Sequence, residues 1–140
     1  YARLMSFEEG VSPKATFDLT PVYNGKLKSA QRSFIKDGPA SVVIEDQIVT
    51  NDQTQLITWQ MMTTAEVQLT KGGAVLTQDG KTLKLENLSH PQPHLSVVSM
   101  YPAPLKLDRQ MENLKRIEIR IPAWTIDKGA TLLRVRLAGE

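Results

Sequence analysis

The chain has 140 residues, enough for one domain that hides about 70% of its unfolded surface without a covalent or metal staple. Seventeen basic against fifteen acidic side chains leave a formal charge of +2, too small for the dense basic stripe of a nucleic-acid binder. The absence of cysteine excludes disulfides, thiolate metal sites and a Cys nucleophile, and no run approaches the ~20 apolar residues of a membrane-spanning helix.

In chain order, a turn-rich Asp18-Leu19-Thr20-Pro21-Val22-Tyr23 leads past Asn24-Gly25 into a basic strand, closed by the turn signal Asp37-Gly38-Pro39. Ser41 to Ile48 and Gln55 to Thr63 are β-branched, apolar runs, the second centred on Trp59. After the turn Lys71-Gly72-Gly73, Asp79-Gly80 separates Ala74–Thr77 from Thr82–Leu85. This is a two-residue hairpin signal, because glycine readily supplies a positive φ. Ser89 to His94 is a proline-rich loop, and Leu95 to Tyr101 is a further strand. Leu105 to Lys115 carries Leu107, Met111 and Leu114 at helical spacing. Its all-strand surroundings favour a loop with one turn.

The dominant period is two. Arg116-Ile117-Glu118-Ile119-Arg120-Ile121, Leu133-Arg134-Val135-Arg136-Leu137 and Lys81–Glu86 alternate charged or polar with apolar residues. Alternation puts apolar side chains on one sheet face and charges on the other, as in half-buried antiparallel strands. Short strands with turns roughly every 8–12 residues predict an all-β, antiparallel β-sandwich.

Few residues combine into chemistry. His90 and His94 have metal-ligand spacing, but Pro91 and Pro93 forbid the helix that would align them. Two solvated imidazoles in a loop are the plainer reading; an adventitious metal site or a glycan contact is the other. Glu45 and Asp46 are neighbours in a strand, so they face opposite ways and cannot act together on one glycosidic bond. One of them is expected to point inward toward a loop or Arg32. Tyr23 is expected to be an anchoring aromatic, and Trp59 to pack in the core. Trp124, after Pro122, is either core or a surface platform. The bases form two groups, Lys26, Lys28, Arg32, Lys36 and Lys106, Arg109, Lys115, Arg116, Arg120. They either steer an anionic polymer or make an ordinary soluble surface. No phosphate loop or nucleophile elbow is present, so no cofactor or metal is expected.

The order of these pieces resembles the β-sandwich of the heparinase II/III-like polysaccharide lyases, in the part that follows their helical toroid. The pieces are Asp18-Leu19-Thr20 with Tyr23 and Arg32, then Val42-Val43-Ile44-Glu45-Asp46, Thr58-Trp59-Gln60 and the Asp79-Gly80-Lys81 hairpin. Residues 1–52 resemble the end of the lyase central sandwich, and 53–140 the small C-terminal β domain of the heparinase II type, together a single sandwich unit. The resemblance implies a parent that cleaves uronic-acid polysaccharides by β-elimination. That reaction needs a carboxylate neutraliser, a base and an acid, which the family supplies mainly from regions upstream of Tyr1. Many relatives carry a histidine two or three residues after the strand tryptophan. Met61, Met62 and Thr63 stand there instead, so no catalytic residue is carried over.

The resulting expectation is an inactive C-terminal portion of a periplasmic or secreted bacterial lyase. Upstream residues would be missing before Tyr1. Partners would be the toroid and sandwich of the same parent and an acidic polysaccharide, with Trp124, Tyr101, Arg32 and Arg109 as candidate substrate contacts. A missing partner surface would leave an apolar patch that a homodimer could cover. The alternatives are a carbohydrate-binding module, marked by Trp124 and Tyr101 on one open face, or a structural assembly domain, marked by an exposed edge strand with few charges.

Overall fold

A computed structural model describes residues 2–23, 25–89, 95–100, 113–126 and 129–139. About two thirds of them are in antiparallel strands: β1 (Arg3–Glu8), β2 (Lys14–Asp18), β3 (Leu27–Lys36), β4 (Ser41–Thr50), β5 (Leu56–Thr63), β6 (Glu66–Thr70), β7 (Gly73–Gln78), β8 (Lys81–Asn87), β9 (Leu95–Ser99), β10 (Lys115–Pro122) and β11 (Ala130–Gly139). Single 3-10 turns span Thr20–Tyr23 and Ala123–Thr125. The expected antiparallel β-sandwich is the fold observed.

Two sheets form the layers. The large one has eight strands in the order β1-β2-β3-β4-β11-β8-β7-β6, and the small one has three in the order β5-β10-β9. The last strand, β11, inserts between β4 and β8, so residues 1–52 and 53–140 share one sheet. Local chemistry sets several joints. Gln78 pairs with Lys81 across Asp79-Gly80, and both loop residues have positive φ (53° and 75°), the paired left-handed conformation of a tight hairpin. At Gly73 a Cβ would stand 1.9 Å from the Leu85 carbonyl oxygen, so only glycine lets β7 approach β8 there.

The alternating patterns predict the faces. Ile117 and Ile119 of β10 face Leu85 and Val135 of the large sheet, and these four side chains are the largest that are fully buried. Each stabilises the fold by about 1.5–3 kcal/mol relative to exposure. Ile57, Trp59, Ile48, Leu76 and Leu133 complete the centre; Trp59 is a core residue, as expected.

The opposite faces depart from the simple picture of solvated charge. Glu118, between two isoleucines, is only 2% exposed. It lies on the central strand of the small sheet, and both Arg116 and Arg120, two residues away on the same face, pair with its carboxylate. On the outer face of the large sheet, Arg134 donates to Glu45 at 2.8 and 3.1 Å, and Arg136 reaches Asp37 and Glu86. A charge on a middle strand is covered by the long side chains of its neighbours, so alternation identifies the face without fixing the exposure.

Candidate functional site: a cleft beside an open sheet edge

Tyr101, Arg109, His90, His94 and the 105–112 part of the helix-spaced segment lie outside the described residues. Of the remaining candidates, Tyr23, Lys26, Arg32, Asp46 and Trp59 line a cleft of ≈ 470 Å³ between the sheets. Its floor comes from β3 and β4, through Ala30, Arg32, Asp46 and Ile48. One wall is β5, from Leu56 to Trp59, and the rim carries Tyr23, Lys26 and the 53–55 loop.

The rim is pinned by side chains that substitute for backbone partners. The Asn51 carboxamide oxygen accepts the Gln53 N–H (2.8 Å), while its amide nitrogen donates to the Gly25 carbonyl (2.8 Å). The Thr54 hydroxyl accepts the Asn51 N–H (3.1 Å) and donates to the Lys26 carbonyl (2.5 Å). On the other side, the Thr20 hydroxyl accepts the Ala30 N–H (3.0 Å), and the Asp18 carboxylate accepts the Thr20 N–H (3.0 Å). The Asp18 and Asn51 side chains accept the backbone N–H two residues on and so make turns, while the Thr54 hydroxyl reaches back three residues and the Thr20 hydroxyl reaches across to β3. Hydrogen bonds from Thr20, side chain then backbone, hold the Asp18 carboxyl below its usual range, with a lesser contribution from Arg3.

Arg32 and Asp46 face each other across β3 and β4. The guanidinium donates from Nε to Oδ1 (2.7 Å) and from Nη2 to Oδ2 (3.0 Å), a bidentate fork. The Asp46 side chain is 7% exposed and that of Arg32 31%. Burial is the largest single influence and works against the Arg32 charge, but the Asp46 hydrogen bonds, the Asp46 charge and Tyr23 together outweigh it, and the guanidinium titrates above its ordinary value. Asp46 is therefore the inward member of the acidic pair and Arg32 its partner, while Glu45 turns to Arg134 on the other face. Two of the five donors of Arg32 are committed to Asp46.

Several other expectations resolve here. Trp124 is 86% exposed, so it is the surface platform of its two readings. It sits in the 3-10 turn after β10, and the neighbouring Ala123 N–H bonds the Gln55 carbonyl (2.9 Å), which places the turn at the mouth of the cleft. Tyr23, in the short turn before β3, lines the rim and is 41% exposed. Lys115 caps the carbonyls of Ala65 and Asn113, and Arg116 and Arg120 serve Glu118, so much of the second basic group is engaged within the fold. Among the described residues no three His, Cys, Asp or Glu side chains come together as metal ligands, and no helix is long and apolar enough to cross a membrane.

No protein-family model matches the chain, and no curated protein matches it in sequence. Solved structures match it throughout in fold. Heparan sulfate lyase HepC from Pedobacter heparinus superposes with a TM-score of 0.74 at 15% identity. A heparinase III gives 0.69 at 13%, and the heparinase III BT4657 gene product 0.71 at 13%. Each match covers 99% of this chain and 21% of the other, so the chain spans about a fifth of the length of these lyases. The two-sheet fold is thus that of a region of heparinase III chains.

Proposed function

We propose that these residues are the non-catalytic C-terminal β-sandwich portion of a heparinase II/III-like polysaccharide lyase. The parent would cleave uronic-acid-containing acidic polysaccharides by β-elimination, in the periplasm or outside a bacterial cell. The observation that carries this reading is the fold match over 99% of this chain to three lyase structures at 21% of their length. The motif order from Asp18 to Asp79-Gly80-Lys81 supports it independently. The domain's own role is structural: it completes the sandwich that packs against the rest of the parent. Trp124 offers a sugar ring a stacking surface at the cleft mouth. Arg32, neutralised by its bidentate pair with Asp46, is a structural part of the cleft floor.

Ultraviolet detection of unsaturated uronate, with heparan sulfate and other acidic polysaccharides, tests this. The complete natural polypeptide should depolymerise one of them and the 140-residue chain none. Activity in the short chain, or none in the complete one, sinks the proposal. A second reading, a stand-alone carbohydrate-binding module, is favoured by the 86% exposure of Trp124. It requires the short chain to bind polysaccharide by itself and Trp124→Ala to abolish that binding.

A further inference from the structure

The two layers of the sandwich do not match. On one side β9 of the small sheet comes against β6 of the large one and closes the gap. On the other side the small sheet stops at β5, above β3 and β4, whose Arg32 and Asp46 share the cleft with Ile57 and Trp59. Strands β1, β2 and the Phe34 end of β3 project beyond it. At about 4.8 Å per strand, the projecting wing is some 10 Å or more wide.

The inner face of that wing is apolar. Leu4 pairs with Phe17, Phe7 with Ala15, and Ala15 with Phe34, so these side chains share one face. The register shift between Leu4 and Ser6 brings Phe7, three residues on, back to the face of Leu4. Phe17 and Phe34 meet edge to face with ring centroids 5.9 Å apart. Yet Leu4 is 55%, Phe7 58% and Phe34 39% exposed. Across β3 and β4 the same face becomes the packed core: Phe34 pairs with Ile44 and Ala30 with the buried Ile48.

The sheet edge next to this face is unprotected. β5 reads Leu-Ile-Thr-Trp-Gln-Met-Met-Thr, eight residues without charge or proline, in unbroken register with β10. Among the described residues no strand pairs with its other side. The end strands of the large sheet differ. β1 is bulged and carries Arg3 and Glu8; β6 is five residues long and carries Glu66. Bulges, charges and brevity are the devices that keep an edge from pairing, and β5 has none of them.

We propose that a β-strand from the part of the parent chain outside these 140 residues pairs with the open edge of β5 and lies in the cleft, over the inner face of β2 and β3. It would turn alternate apolar side chains toward Phe17 and Phe34. The occupant rests on the longer parent proposed above, and the fivefold greater length of the matching lyase chains argues for it. A second copy fits less well: antiparallel pairing of two β5 edges would drive both projecting wings into one layer. Covering Arg32 and Asp46 leaves no bare charge, because each already holds the other in a bidentate pair.

Amide hydrogen exchange on the complete natural polypeptide tests the pairing. The β5 amides that do not bond to β10 should exchange about 100-fold or more slower than unstructured amides, like those inside a sheet. Exchange within about 10-fold of the unstructured rate overturns the proposal. So does protection that appears only as light scattering shows the mass doubling, which assigns the edge to a second copy. A natural polypeptide no longer than these residues overturns it as well. Protected β5 amides without lyase activity keep the pairing and remove the lyase reading. Activity with unprotected amides does the reverse.

Discussion

The two halves of the eight-stranded sheet obey the same rules and end differently. In β4, β11, β8 and β7 the inward side chains Ile48, Leu133, Val135, Leu85 and Ala74 are buried beneath the small sheet. In β1, β2 and the neighbouring end of β3, Leu4, Phe7 and Phe34 also face inward and meet no second layer. The residue types are equally apolar. Alternation prepares a face for burial, and only a facing sheet turns that preparation into stability.

The largest expected effect lies in the covered half. Leu85→Ala should cost about 3–4 kcal/mol in chemical unfolding of the chain, since its side chain is fully buried and its surroundings are packed on all sides. Phe7→Ala should cost under about 1 kcal/mol in the same chain, because its ring is already in water. Equal losses would break the comparison. The complete polypeptide sharpens it: if a strand beside β5 covers Phe34 there, Phe34→Ala should cost severalfold more than in the 140-residue chain.

An intermediate effect separates the two ion pairs of β4. Arg32→Ala leaves the Asp46 carboxylate buried without its fork and should cost about 2–3 kcal/mol. Arg134→Ala removes a partner that is itself 45% exposed from a Glu45 side chain that is 11% exposed, and should cost somewhat less, about 1–2 kcal/mol. Replacing Arg32 and Asp46 together by leucine should recover most of the larger loss, and a double-mutant cycle reads the difference.

The smallest effect is at the end of β2. The Asp18 carboxyl titrates below its ordinary value in the folded chain, held there by Thr20. Its unfolded form takes up protons first. The stability it contributes is therefore present above the usual carboxylate range, near pH 4, and is lost as the pH falls through the lower folded value. Asp18→Asn should flatten the acid side of a stability-against-pH curve and leave neutral behaviour little changed. An unaltered acid limb would show that the Thr20 contacts carry no charge-dependent stability.

The legible parts of this fold were those with local causes. The Asp79-Gly80 hairpin, the strands from Ser41, Gln55, Lys81, Leu95, Arg116 and Leu133, and the core place of Trp59 all follow from period and turn chemistry. The opening strands were harder to read. Arg3–Glu8 is broken by a bulge that disrupts its alternation, and Lys14–Asp18 offers only two apolar residues, Ala15 and Phe17. That one of Glu45 and Asp46 turns inward was foreseeable, because neighbours in a strand face opposite ways, but the choice of Asp46 depends on its pairing with Arg32 across β3 and β4. The burial of Glu118 was not, since arginines two residues away cover it.

The sequence by itself determined the fold class, the sheet faces and the tight hairpin, because period-two alternation and left-handed turn residues act within a few residues of one another. The tertiary structure alone decided that β11 joins β4 to β8, that Arg32 and Asp46 share a cleft floor, that Trp124 stands in solvent and that β5 has no second neighbour among the described residues. Those features depend on which strands become neighbours and where a second layer ends, and contacts between residues far apart in the chain set both.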